Sequence, residues 1–150
     1  MLLAFDALKL RQLLSCIIKS GKIRTMDMQA KKILIMEDEP DSLMMLSMAL
    51  KSAGYIVFGA PDGEEGLRIF REERPDLVIL DIVMPGIDGW EVLKKIKAGL
   101  KSKRIPVIML TGKSEDADKV KGYDYGADFY VTKPYNIQKL LPIVRDIISK

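Results

Sequence analysis

Five short apolar runs, four of them followed at once by a polar or charged residue and each separated from the next by a helix-like segment, restrict this chain to few architectures. They are Ile33–Met36, Ile56–Phe58, Leu77–Leu80, Val107–Leu110 and Phe129–Val131. Each is too short for a helix and nearly free of polar residues, so it reads as a buried strand. Between them, Asp41–Ser52 places Leu43, Leu46 and Leu50 at helical spacing, with Gly54 just past its end. Asp62 and Glu65 make a capping-box pair before a helix through Phe70, and Pro75 bars its continuation. Asp88 and Glu91 repeat that spacing before a helix carrying Trp90, Leu93 and Ile96. Two more helices are predicted, one over Ser114–Tyr123 and one capped by Asn136 and running to Ile148. Strands alternating with helices pair in parallel through right-handed crossovers, so the fold class is α/β: a doubly wound five-stranded parallel sheet with five helices. Pro142 breaks the local rule inside the last helix, where a kink or a late helix start is expected.

In such sheets, ligands collect at the carboxyl ends of the strands. The stretch LVILDIVMPGIDGWE presents Asp81 at one such end, four residues before Pro85-Gly86. The first strand ends in Glu37-Asp38, the fourth in Thr111 and the fifth leads to Lys133. Three acids at one edge repel and raise one another's pKa unless a cation lies between them. Mg²⁺ fits, because it takes oxygen ligands and commonly keeps several waters beside one or two carboxylates. A hydroxyl and an ammonium added to that site suit phosphoryl transfer, in which charge must be stabilised on three equatorial oxygens. The plainer alternatives are a turn cap for Asp81, a solvated turn for Glu37-Asp38, a helix-capping hydroxyl for Thr111 and a surface lysine for Lys133. Trp90, Met44, Met45 and Met48 are read as packing residues.

Composition excludes other chemistry. With 0 histidines, the chain can hold no Ser-His or Cys-His nucleophile and no phosphohistidine of its own. The single cysteine, Cys16, rules out an internal disulfide framework and fits a reducing compartment. Residues 1–30 hold five basic residues and two acidic ones, leaving 19 of each sign in residues 31–150, so the body has no nucleic-acid signature by net charge. Residues 2–18 are rich in Leu and Ile but interrupted by Asp6, Lys9 and Arg11, so they cannot span a bilayer as one apolar run. They do not lead with positive charge as a signal peptide does. An amphipathic helix with Leu3, Leu10, Leu14 and Ile17 on one side is possible, but Met26 and Met28 favour an over-extended start. Residues 1–30 are therefore read as an extension outside the fold, and 31–150 as the domain.

The motifs ILIMEDEP, LVILDIVMPGIDG, VIMLTG and FYVTKPY stand in this order at matching strand ends. With them, residues 31–150 resemble a response-regulator receiver domain, the phosphoacceptor module of two-component signalling. The resemblance implies a flavodoxin-like sheet of order 2-1-3-4-5. It makes Asp81 the residue phosphorylated by a histidine kinase or histidine phosphotransfer protein. Asp38, Asp81 and the Val83 carbonyl would bind Mg²⁺, and Glu37 would hold a metal-bound water. Thr111, helped by the Gly112 amide, and Lys133 would contact the phosphoryl group. The Lys133-Pro134 bond would be cis, and Tyr130 would move inward with Thr111. Val83 and Lys113 occupy positions that tune phosphoryl lifetime in the family, and Pro142 departs from its usual last helix. The expected function is a stand-alone regulator, with no room for an output domain after Lys150, that signals by phosphorylation-dependent binding of a downstream protein. It would be cytoplasmic, a monomer or weak dimer, with no nucleic-acid partner and no enzymatic turnover of a substrate. The alternatives are a phosphate-independent pseudo-receiver and a Mg²⁺-dependent phosphohydrolase. The intact site set argues against the first. Valine at position 83, where such a hydrolase usually needs a second acid, argues against the other.

If the domain begins at residue 31, deleting residues 1–26 should leave the melting temperature and phosphorylation by a small phosphodonor unchanged. A loss of solubility or of several kcal/mol of stability in the truncated chain would place the extension inside the core.

Overall fold

The computed structural model describes residues 12, 29–112 and 125–150. Strands β1 (Lys32–Met36), β2 (Ile56–Ala60), β3 (Leu77–Asp81), β4 (Val107–Thr111) and β5 (Phe129–Thr132) form one sheet in the order β2-β1-β3-β4-β5. All four pairings are parallel. Helices α1 (Pro40–Ser52), α2 (Gly63–Glu73), α3 (Gly89–Lys97) and α4 (Ile137–Ile148) are joined among the described residues by a 3-10 turn at Ser102–Arg104 that the sequence pattern does not announce. The fold is therefore the flavodoxin-like receiver fold. The helix expected over Ser114–Tyr123 lies outside the described residues.

Alternation along each strand divides the core in two. Leu34, Met36, Val78, Leu80, Val107 and Met109 face α2 and α3, where they meet Leu67, Val92, Leu93 and Ile96. Ile33, Ile35, Leu77, Ile79, Ile108 and Leu110 face α1 and α4, where they meet Leu46, Leu50, Leu140 and Val144. Both layers are apolar, which is why the strand sequences read as continuous hydrophobic runs.

The predicted caps form. Asp62 Oδ1 accepts from the Glu65 amide at 2.8 Å, Asp88 Oδ1 from the Glu91 amide at 2.9 Å, and Asn136 Oδ1 from the Gln138 amide at 2.8 Å. Helix α4 starts at its cap and runs through Pro142, so a late start is not seen. Pro142 and Gln138, whose carbonyl loses its helical donor, are both on the solvent side, where the loss costs least. Among the described residues no helix is long and apolar enough to cross a membrane.

The return from β3 into α3 holds Asp81 in place. Gly86, with φ of 78°, completes the Pro85-Gly86 turn that a side chain would strain. The Gly89 amide then donates to the Ile82 carbonyl at 2.8 Å. A Cβ on Gly89 would meet the Asp81 carbonyl oxygen and lie 2.7 Å from Ile82 Cα. Both obstacles are backbone and cannot rotate away. Gly89→Ala should therefore destabilise the domain by about 2 kcal/mol or more, at the upper end for overpacking. Chemical denaturation checks this, and a cost within error of zero would show that the approach of α3 to β3 is loose.

Candidate functional site

The parallel register assembles the site. Met36 is paired with Leu80, so Glu37 and Asp81 extend from neighbouring strands at the same edge. Asp81 pairs with Leu110, and Thr111 pairs with Thr132 one residue before Lys133. The Lys133 amide donates to the Thr111 carbonyl at 2.6 Å, and a cis Lys133-Pro134 bond comes next.

Lys133 Nζ donates to Glu37 Oε2 at 2.8 Å and to Asp81 Oδ2 at 2.6 Å. The other carboxylate oxygens are taken by backbone: the Val83 amide donates to Asp81 Oδ1 and the Glu39 amide to Glu37 Oε1, each at 3.2 Å. Glu37 is fully buried and Asp81 nearly so, whereas Asp38 is exposed. Burial pushes the Glu37 carboxyl above its usual range despite the Lys133 hydrogen bond, and the Asp81 charge adds to the rise. Ionised Glu37 therefore costs the fold stability at neutral pH. Burial disfavours the Lys133 charge, yet its hydrogen bonds to Asp81 and Glu37 outweigh burial and hold the ammonium above its ordinary pKa.

Thr111 is fully buried, and its Oγ1 donates to the Gly112 carbonyl at 3.3 Å. By strand alternation it shares the α2/α3 face with Met109, which is paired with Tyr130; Tyr130 packs against that same core layer. The two residues linked by the switch expectation thus lie diagonally across adjacent strands on one face. Val83 is exposed beside Asp81. Lys113 lies outside the described residues. Trp90 is partly buried against the core, and its ring is 6.4 Å from that of Tyr125. Met44, Met45 and Met48 are 57%, 58% and 62% exposed, so they belong to the surface of α1 and not to the core.

Carboxylate oxygens of Glu37, Asp38 and Asp81 lie within 4.8 Å of one another, close enough to share one hard cation. The donor set, oxygen only and partly exposed at Asp38, fits Mg²⁺. Sequence reasoning missed Tyr135, half-buried behind the site. Burial raises its phenol pKa and the Glu37 charge raises it further. Its position two residues after Lys133 was the available signal. It lines a cavity of about 390 Å³ with Glu39, Ser42, Met45, Lys133 and Pro134.

The family profile described as response regulator receiver domain matches residues 33–145. The chain belongs to that family. It is 39% identical over 123 residues to "Probable transcriptional regulator ycf27" of Porphyridium aerugineum, covering 82% of this chain and 50% of that relative. The chain thus spans about half the length of the curated relatives it matches. Among solved structures it is similar to the chemotaxis response regulator CheY4 of Vibrio cholerae, with TM-score 0.75, 32% identity, and coverage of 79% of this chain and 99% of that one. It is also similar to the receiver domain of a sensor histidine kinase from Pseudomonas aeruginosa, with TM-score 0.74, 28% identity, and coverage of 81% and 99%. That domain has a magnesium ion coordinated in its active-site cleft.

Removing Lys133 would leave two buried carboxylates without their cation. Full loss of a buried partner costs roughly 3–5 kcal/mol, and Lys133 is partly exposed, so Lys133→Ala should cost about 2 kcal/mol without metal. Mg²⁺ should restore more stability to this variant than to the wild type. Thermal melts with chelator and with Mg²⁺, at constant ionic strength, test both statements. Equal melting of variant and wild type in chelator would mean that the carboxylates do not depend on the ammonium.

Proposed function

We propose that the chain is a phosphoacceptor signalling module in which Asp81 takes a phosphoryl group from a histidine kinase or a histidine phosphotransfer protein. The observation that carries this is the Asp81 carboxylate at the end of β3, 2.6 Å from Lys133 Nζ and grouped with Glu37 and Asp38. Because the chain has 0 histidines, the phosphohistidine must come from the partner.

An Asp81 carboxylate oxygen attacks phosphorus, a P–O bond forms, the P–N bond to the donor imidazole breaks, and its electron pair returns to the ring nitrogen. The donor histidine regains a proton from water, and Asp81 carries an acyl phosphate. The Lys133 ammonium, already beside Asp81, balances the added negative charge. The Val83 amide holds the carboxylate at Oδ1. The Thr111 hydroxyl, bonded to the Gly112 carbonyl at 3.3 Å, would exchange that contact for a phosphoryl oxygen. Its departure opens space on the face where Tyr130 packs, which supports the paired movement of the two side chains. Glu37, Asp38, Asp81 and the Val83 carbonyl would hold Mg²⁺, which when bound supplies a divalent charge against the transferring phosphoryl oxygens.

In this reading the chain is a signalling phosphoacceptor, not an enzyme turning over a substrate. Its output in this reading is phosphorylation-dependent protein binding. Incubation with acetyl phosphate and Mg²⁺ should add one phosphoryl group by intact mass, and Asp81→Asn should abolish it. Undiminished modification of Asp81→Asn would remove Asp81 from its role, and no modification of the wild type would favour a phosphate-independent interaction module.

A further inference from the structure

At the opposite end of the sheet from Asp81, the C-terminal turn of α2 and the 3-10 turn enclose a groove of about 390 Å³ lined by Phe70, Arg71, Arg74, Lys101, Ser102 and Ile105. Phe70 and Ile105 are partly buried against the core and supply an apolar floor. Leu100, 83% exposed, directly precedes Lys101 in the chain. Its three cations have no ion pair among the described residues, because the neighbouring acids serve other groups. Glu72 binds Arg68 at 2.6 Å, Glu73 binds Lys32 at 3.1 Å and Asp76 binds Lys31 at 3.4 Å. The charge extends through the 3-10 turn: residues 98–106 hold Lys101, Lys103 and Arg104 and no acidic residue.

The groove is held rigid. Lys97 Nζ donates to the Lys103 carbonyl at 3.3 Å, the Ile105 carbonyl at 2.7 Å and Asp128 Oδ2 at 2.9 Å. Ser102 Oγ donates to the Ile96 carbonyl at 2.6 Å. Arg74, with φ of 49°, is the helix-ending residue in the left-handed conformation that glycine adopts with less strain. An arginine in that conformation carries a cost of about 1 kcal/mol.

We propose that this face is a docking site for an acidic, amphipathic peptide segment of a partner protein, with its apolar side chains on Phe70, Ile105 and Leu100 and its carboxylates on Arg71, Arg74 and Lys101. Charge complementarity selects the acid, and the apolar floor suits the apolar side chains of an amphipathic peptide. The groove lies before β3 and β4, whereas Asp81 ends β3. Five residues of strand separate the two ends by roughly 16 Å. A peptide here therefore leaves the phosphodonor's approach open, and the inference does not depend on phosphate chemistry.

The test uses the whole chain and a short fluorescein-labelled peptide in which glutamates flank a leucine and a phenylalanine, read by anisotropy. Arg71→Glu with Lys101→Glu should weaken binding at least about tenfold and flatten its salt dependence, while Arg71→Lys with Lys101→Arg keeps it. Both pairs change exposed side chains, and circular dichroism melts verify that each remains folded. Arg74→Gly should raise the melting temperature while weakening the peptide, a combination that a merely structural arginine would not produce. Binding unchanged by the charge reversal overturns the proposal, since it would place the peptide elsewhere, as on the basic residues 1–30. Equal affinity for a glutamate-only peptide, or tighter binding of a single-stranded oligonucleotide, also overturns it, the first by removing the role of the floor and the second by changing the partner class.

Discussion

One ammonium group holds the acidic edge of this sheet together. Lys133 Nζ bonds Glu37 and Asp81, which emerge from neighbouring strands and would otherwise face each other as buried like charges. The parallel sheet creates the problem, since it delivers all strand ends with their side chains to one rim, and β5 delivers the answer. The balance is incomplete, as the raised Glu37 pKa records. A rim so arranged is under-neutralised by design of its topology: a further cation, or a change in the charge of Asp81, alters the energy of every strand end that meets there.

Most of the architecture is legible in the residues. Apolar runs of four or so, capping pairs at Asp62 and Asp88, and stops at Gly54 and Pro75 each reflect a local rule that packing has no reason to override. The strands extend one or two residues beyond the apolar runs. Asp81 and Thr111 are thus the last residues of β3 and β4, because ladder pairing continues until the chain must turn. The site set is legible for a related reason. Asp81 and Thr111 are polar residues at the ends of buried strands, where a partner charge or a hydrogen bond makes them tolerable, and Lys133 follows the neighbouring edge strand.

The features that stay hidden depend on contacts with no sequence period. The 3-10 turn at Ser102–Arg104 rests on Lys97 and Ser102 reaching carbonyls several residues away. Tyr135 behind the site depends on the path of the chain after Pro134. Met44, Met45 and Met48 could face either way on hydrophobicity alone, which does not tell a core methionine from one exposed on α1. Pro142 reads as a break, and the helix accommodates it on its wet side.

The sheet is also uneven in burial. The acids of the rim stand on or beside β1 and β3, which are almost wholly buried, while the lysine comes just after β5, an edge strand of four residues that is half-exposed along its length. Amide exchange in such a sheet is graded, with an edge opening by local fluctuations that the central strands share only on global unfolding. The cation can therefore leave and return on the fluctuation of one edge, on a timescale of its own, while the carboxylates keep their positions.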